Sequence, residues 1–256
     1  MEDRLPTEKS AEKYGMKGYL QRHPYAQRSI RLQDLERECR IYEAEEPRDS
    51  MYRVASFLVQ EWWGDPSNLA DALAVLLLTW NANFYRFGGG LRADALEACL
   101  RENWKTIEAF RQRELSTFDK SDHKQISMLF TSLSTALRLA ANERESAVSC
   151  AKALHLLAPN FFPIWDQYIA PAYQCPYLYE VPFVAYIVFC QRIKNLANVL
   201  IDDLSAVSSS DPIKILIVKK TLLKRIDEYN FVTITMPALK VQREERRRKK
   251  VALSTE

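Results

Sequence analysis

Glycine is scarce in this chain: six among 256 residues, three of them consecutive at Gly88, Gly89 and Gly90. Folds rich in tight turns rely on glycine for its left-handed backbone, whereas helices joined by short polar or proline-containing loops need little of it. The scarcity therefore predicts an all-α fold. A composition that is 47% hydrophobic and 27% charged is ordinary for a packed domain and excludes general disorder.

Periodicity agrees. "SIRLQDLERECRIYEAEE" repeats apolar residues at helical spacing through Ile30, Leu32, Leu35, Cys39 and Tyr42. "DSMYRVASFLVQEWW" reads as a second helix stopped at Gly64-Asp65-Pro66, and Ser67 or Asn68 opens the apolar "NLADALAVLLLTWNANFYRF", ended by the glycine triplet. Further helices are predicted over 91–103, 104–114, 122–140, 146–157, 164–173, 182–203 and 212–228, separated mostly by prolines and the serines at 208–210. "FVTITM" at 231–236 is β-branched and alternating, which predicts a short strand or extended arm. The simplest division is a loose N-terminal arm over 1–25, one helical domain over 26–229, and an extended segment with a basic tail over 230–256.

Charge is unevenly placed. Residues 238–250 hold seven Lys/Arg and two Glu, a balance of +5 within a chain whose net charge is +3, so the rest carries −2. The stretch 240–250 is thus a candidate contact for a polyanion, and equally an ordinary solvated end. Five scattered cysteines without a CxxC pair read as reduced packing residues of an intracellular protein, cytoplasmic or nuclear. The longest uncharged apolar stretch, "VPFVAYIVFC", is too short to span a bilayer, so no membrane association is expected. Three distant histidines make a histidine metal site unexpected, and no phosphate-loop, dinucleotide or hydrolase-elbow motif occurs; neither metal nor cofactor is expected.

Two stretches concentrate chemistry. In "KALHLLAPNFFPIWDQYI", 152–169, Pro163 sets a helix start and Asp166 falls at the cap or in the first turn. Asp166 either caps its helix, with Trp165 packed on the apolar side, or serves as a fixed carboxylate that stabilises a developing cation or orients a water. Upstream, Lys152 and His155 share a helix face. An imidazole among leucines reads as a hydrogen-bonded packing residue, and Lys152 as a residue snorkelling over apolar neighbours unless desolvation activates its amine. In "TWNANFYRF", 79–87, Trp80, Asn81, Tyr85 and Arg86 combine rings, an amide and a guanidinium, a set suited to stacking and hydrogen bonding to a flat ligand such as a base. The same residues also suit a helix end leaving a core.

These two stretches resemble, in kind and order, segments of the helix-hairpin-helix DNA glycosylases. "LAVLLLTWNANFYR" is similar to the apolar helix whose polar end enters DNA in that family. "KALHLLAPNFFPIWDQYI" is similar to the segment that carries the family's catalytic aspartate, with Asp166 in its place. The resemblance covers roughly 68–87 and 148–170. It implies a helix-hairpin-helix glycosylase-like architecture and a DNA-repair hydrolase that cleaves an N-glycosidic bond. In that reading Asp166 is catalytic, and Trp80, Asn81, Tyr85, Arg86, Lys152 and Trp165 hold the extruded base or the opposite strand of DNA. The chain departs from the family at "NERESAVSC", where the hairpin has no glycine, and at Val148, near the place where lyase members carry a lysine. The iron–sulfur cysteines of some members are absent too. The resemblance thus implies a monofunctional enzyme, against the alternative of a non-catalytic scaffold that binds a protein or small ligand.

Overall fold

In a computed structural model, the structure describes residues 16–45, 49–178, 181–207 and 219–253. Helices account for the fold, and no strand occurs among the described residues. In chain order they are α1 (Met16–Arg22), α2 (Leu32–Glu45), α3 (Asp49–Glu61), α4 (Pro66–Trp80), α5 (Ala82–Arg86), α6 (Ala93–Glu102) and α7 (Trp104–Arg111). Then follow α8 (His123–Ala136), α9 (Ala147–Leu157), α10 (Ile169–Ala172), α11 (Pro182–Ala206), α12 (Leu222–Asn230) and α13 (Met236–Leu253).

Helix α4 starts where Asp65 accepts hydrogen bonds from the amides of Ser67 and Asn68, with Pro66 at the first helical position; Asp65, not Ser67 or Asn68, is the cap. Its Leu69, Leu73, Leu76 and Leu77 are fully buried. The helix stops at Trp80 because Asn81 leaves helical geometry at φ −119° and ψ 32°, and α5 resumes it for one turn. The glycine triplet follows. Gly89 and Gly90 have positive φ, and Gly88 lies so close to Leu139 that a Cβ there would stand 2.3 Å from its side chain. The Ala141 amide donates to the Gly88 carbonyl, so this turn is fastened to the loop between α8 and α9.

Helix α9 is the centre of the domain. Ser146 caps it by accepting from the Ser149 amide, and every α9 residue except Val148 is buried. Such all-round burial demands neighbours on all sides, and α3, α4, α8 and α11 supply them. The 25-residue α11 is long and apolar enough to cross a membrane by length and composition, but 67% of its most apolar window is buried inside the fold, as in a core helix. All five cysteines are free and buried.

Four expectations change. The arm is not loose throughout: Tyr19 of α1 is buried and donates to the Pro176 carbonyl, and Arg192 donates to the His23 carbonyl, fixing the segment on α11; residues 1–15 lie outside the described residues. The helix expected over 164–173 shrinks to Ile169–Ala172, because Asp166 caps from below it while 163–166 stays irregular. Of the helix expected over 212–228, the residues up to 218 lie outside the described ones, and α12 begins at Leu222. The strand at 231–236 does not exist. Phe231–Thr235 is a π-helical turn that joins α12 to α13, so the basic stretch is a helix and not an extended tail. Helix-favouring neighbours on both sides outweigh the β-branched preference of five residues.

Candidate functional site

Asp166 is half-buried. Its Oδ1 accepts from the amides of Tyr168 and Ile169, both at 2.7 Å, and its Oδ2 accepts from the Thr235 hydroxyl at 2.6 Å. An ionised carboxylate offers about four acceptor positions. Three are taken by protein, and the carboxylate lines a cleft of about 840 Å³. Capping and exposure to a cavity thus coexist in this residue.

Three sides of the cleft meet there. Trp80, Asn81 and Asn83 come from the break after α4; Ser146, Val148 and Lys152 from the start of α9; Asp227, Phe231 and Thr235 from α12 and the π turn. Tyr42 and Tyr177 add ring surface. The π turn has a definite effect, since it carries both Phe231 and Thr235 on the cleft wall.

Trp80 is held between charges. The Lys224 ammonium lies 5.2 Å from its ring centroid, that of Lys152 5.5 Å, and Tyr52 stacks on it at 5.9 Å. Lys152 is not a surface residue. It is buried, and its ammonium donates to the Asn81 side-chain oxygen and the Trp80 carbonyl. With nearly every residue of α9 buried, the charge is satisfied at the broken end of α4, on the cleft wall. Asn81 passes the link on by donating to Ser149 Oγ at 2.6 Å.

The remaining expected residues lie elsewhere. Trp165 is fully buried, with its indole donating to the Ala147 carbonyl and its ring stacked on Tyr177, so it backs the cleft wall without lining it. Tyr85 is in the core. Arg86 is exposed on α5, 5.7 Å from the Phe87 ring, outside the cleft lining. Hence Trp80, Asn81, Lys152 and Asp166 share the cleft, while Trp165, Tyr85 and Arg86 do not reach it.

Below Trp80 lies a network that sequence reasoning missed. Lys224, fully buried, pairs with Asp227 Oδ2 at 2.9 Å; Lys220 joins Asp49 and Glu228; Arg225 joins Glu228 and Glu43. Burial would lower the Lys224 pKa, but Asp227 and its neighbours hold it well above the usual lysine range. Burial also raises the Asp227 pKa, against the pull of Lys224. In the sequence, "LLKRIDEYN" has the charge spacing of a solvated helix face, and nothing local distinguishes it from one. Among the described residues no group of His, Cys, Asp and Glu is arranged to hold a metal ion. No family model, no curated protein and no solved structure matches this chain.

Proposed function

We propose that the chain is a base-processing protein that hydrolyses an N-glycosidic bond in DNA, with Asp166 as the catalytic carboxylate. The observation that carries this reading is the Asp166 carboxylate, fixed by three donors yet lining a cleft shared with Trp80, Asn81 and Lys152. In the reaction the bond between C1′ and the base breaks with its electron pair going to the base. The carboxylate stabilises the cation left on the sugar, water adds to C1′, and the water's proton is lost to solvent. Trp80 and Asn81, the latter oriented by Lys152, line the space for the extruded base. Further support comes from the paired helices α8 and α9, whose connecting loop puts exposed Arg144 at the cleft rim, and from the Arg-rich α13, whose Leu239 lines the cleft.

The test is base release from a panel of duplexes, each carrying one damaged or deaminated base. Asp166→Asn keeps the size of the side chain and removes its charge. A loss of at least about a hundredfold in release, with an unchanged helical spectrum, is the expected outcome. Full activity of the variant removes Asp166 from the chemistry, and no release by the wild type ends the hydrolytic reading.

A second reading has its own observation. Two amides and a hydroxyl already occupy most of the Asp166 carboxylate, as suits a purely structural cap in a non-catalytic ligand-binding scaffold. A salt titration of duplex binding separates the two: an enzyme acting on DNA gives a steep log–log slope, a scaffold for neutral ligands a flat one.

A further inference from the structure

Asp227 is a second carboxylate on the cleft, 7% exposed. Its Oδ2 is bound to Lys224, whose ammonium is itself 4.5 Å from the Tyr42 ring centroid, so the side chain is held in place. Its Oδ1 has no hydrogen-bond partner among the described residues. Trp80 and Phe231, both partly exposed, line the same cleft, with Phe231 edge to face with Tyr42 at 5.6 Å. An accessible acceptor without a protein donor, in a cleft that also carries aromatic rings, is complementary to a planar ligand that carries a donor on its edge.

We propose that Asp227 is the specificity-determining residue of the cleft, selecting a flat heterocycle whose edge presents an N–H to Oδ1. A heterocycle without such an edge leaves that oxygen dehydrated and unbonded, which is the arrangement by which polar pockets reject analogues most strongly. Burial already raises the Asp227 pKa, in keeping with an oxygen short of compensation. This inference rests on the cleft being the ligand site proposed above, but not on hydrolysis.

Binding to the full chain is measured by calorimetry with two deoxynucleosides. One is 2′-deoxyguanosine, which has a ring N–H and an amine on its edge; the other is the deoxynucleoside of unsubstituted purine, which has neither. The wild type is expected to prefer deoxyguanosine by at least about tenfold, and Asp227→Asn to reduce the preference to within about twofold. Equal affinities in the wild type, no binding of either up to the millimolar range, or an intact preference in Asp227→Asn overturns the proposal. If Asp227→Asn fails to fold, Asp227→Glu replaces it under the same criterion, since it keeps the pairing charge and displaces the acceptor by one methylene. A preference without base release leaves this inference standing and removes the hydrolytic reading; release without a preference does the reverse.

Discussion

His155 is sealed inside α9, and its two ring nitrogens have different partners. Nδ1 faces the Phe162 carbonyl at 2.8 Å, which only accepts, so Nδ1 carries the proton and Nε2 accepts from the Tyr52 hydroxyl at 2.9 Å. Burial pushes the pKa from 6.5 down to about 3; the Phe162 bond opposes the shift and the Lys224 charge adds to it. The imidazole is therefore neutral in the fold but protonated in the unfolded chain below pH 6.5. Its contribution to stability is complete above that pH and is lost as pH falls towards 3, at roughly 1.4 kcal/mol per unit. Urea denaturation at pH 7.5 and 5 should show the loss. His155→Phe should flatten that dependence and lower stability at pH 7.5 by about 1–3 kcal/mol, because two buried polar partners lose their bonds, with the deficit shrinking at pH 5 as the wild type weakens. Thr235 offers a second test at this scale. Thr235→Val removes the donor to Asp166 Oδ2 and should cost about 1–3 kcal/mol and, if the hydrolytic reading holds, slow base release, with Thr235→Ser restoring both; equal behaviour of the two variants would deny the hydroxyl any role.

At the scale of elements, α12 stands out for burying Lys224, Arg225, Asp227 and Glu228 together. Removing one member strands its partners in a dry site, so Lys224→Met is expected to destabilise by about 3–5 kcal/mol, far more than a surface lysine would. Thermal or urea unfolding reads this directly. Helix α13 carries the seven cations of 238–250, and its side chains up to 248 are mostly exposed. If the DNA reading holds, removing 238–256 should flatten the salt slope of duplex binding without abolishing it; loss of all binding would assign recognition to α13 alone. Helices α4 and α9 could be read from the chain because their apolar spacing runs up to a boundary residue that the sequence displays, Pro66 for α4 and Ser146 for α9. The π turn could not, since alternating Phe231, Thr233 and Thr235 mimic a strand. The depth of α12 could not either: spacing shows which charges neighbour one another along a helix, but not whether another helix covers them.

For the whole molecule, the cleft draws on positions near 80, 152, 166 and 227 to 239, so its walls exist only when elements distant in the chain have packed together. Leu154→Ala, at fully buried Leu154 in α9, should cost about 2–5 kcal/mol in urea denaturation. The same substitution should weaken ligand binding only as far as it unfolds the chain. This dependence on distant parts explains which candidate residues share the cleft. The break that puts Trp80 and Asn81 on the cleft is hidden by a helical segment that reads on to the glycine triplet, whereas Pro163 makes the start near Asp166 visible in the sequence. The tertiary partners that turn Trp165 and Tyr85 inward are not visible there. One small feature governs the geometry of the mouth. Gly88 has no side chain to hold it off Leu139, and its carbonyl takes the Ala141 amide. The segment bearing Trp80 and Asn81 is thereby clasped to the loop that leads into Ser146 and Lys152. A methyl group at Gly88 would act as a shim, prising the two jaws apart and widening the aperture while leaving every residue inside it chemically intact.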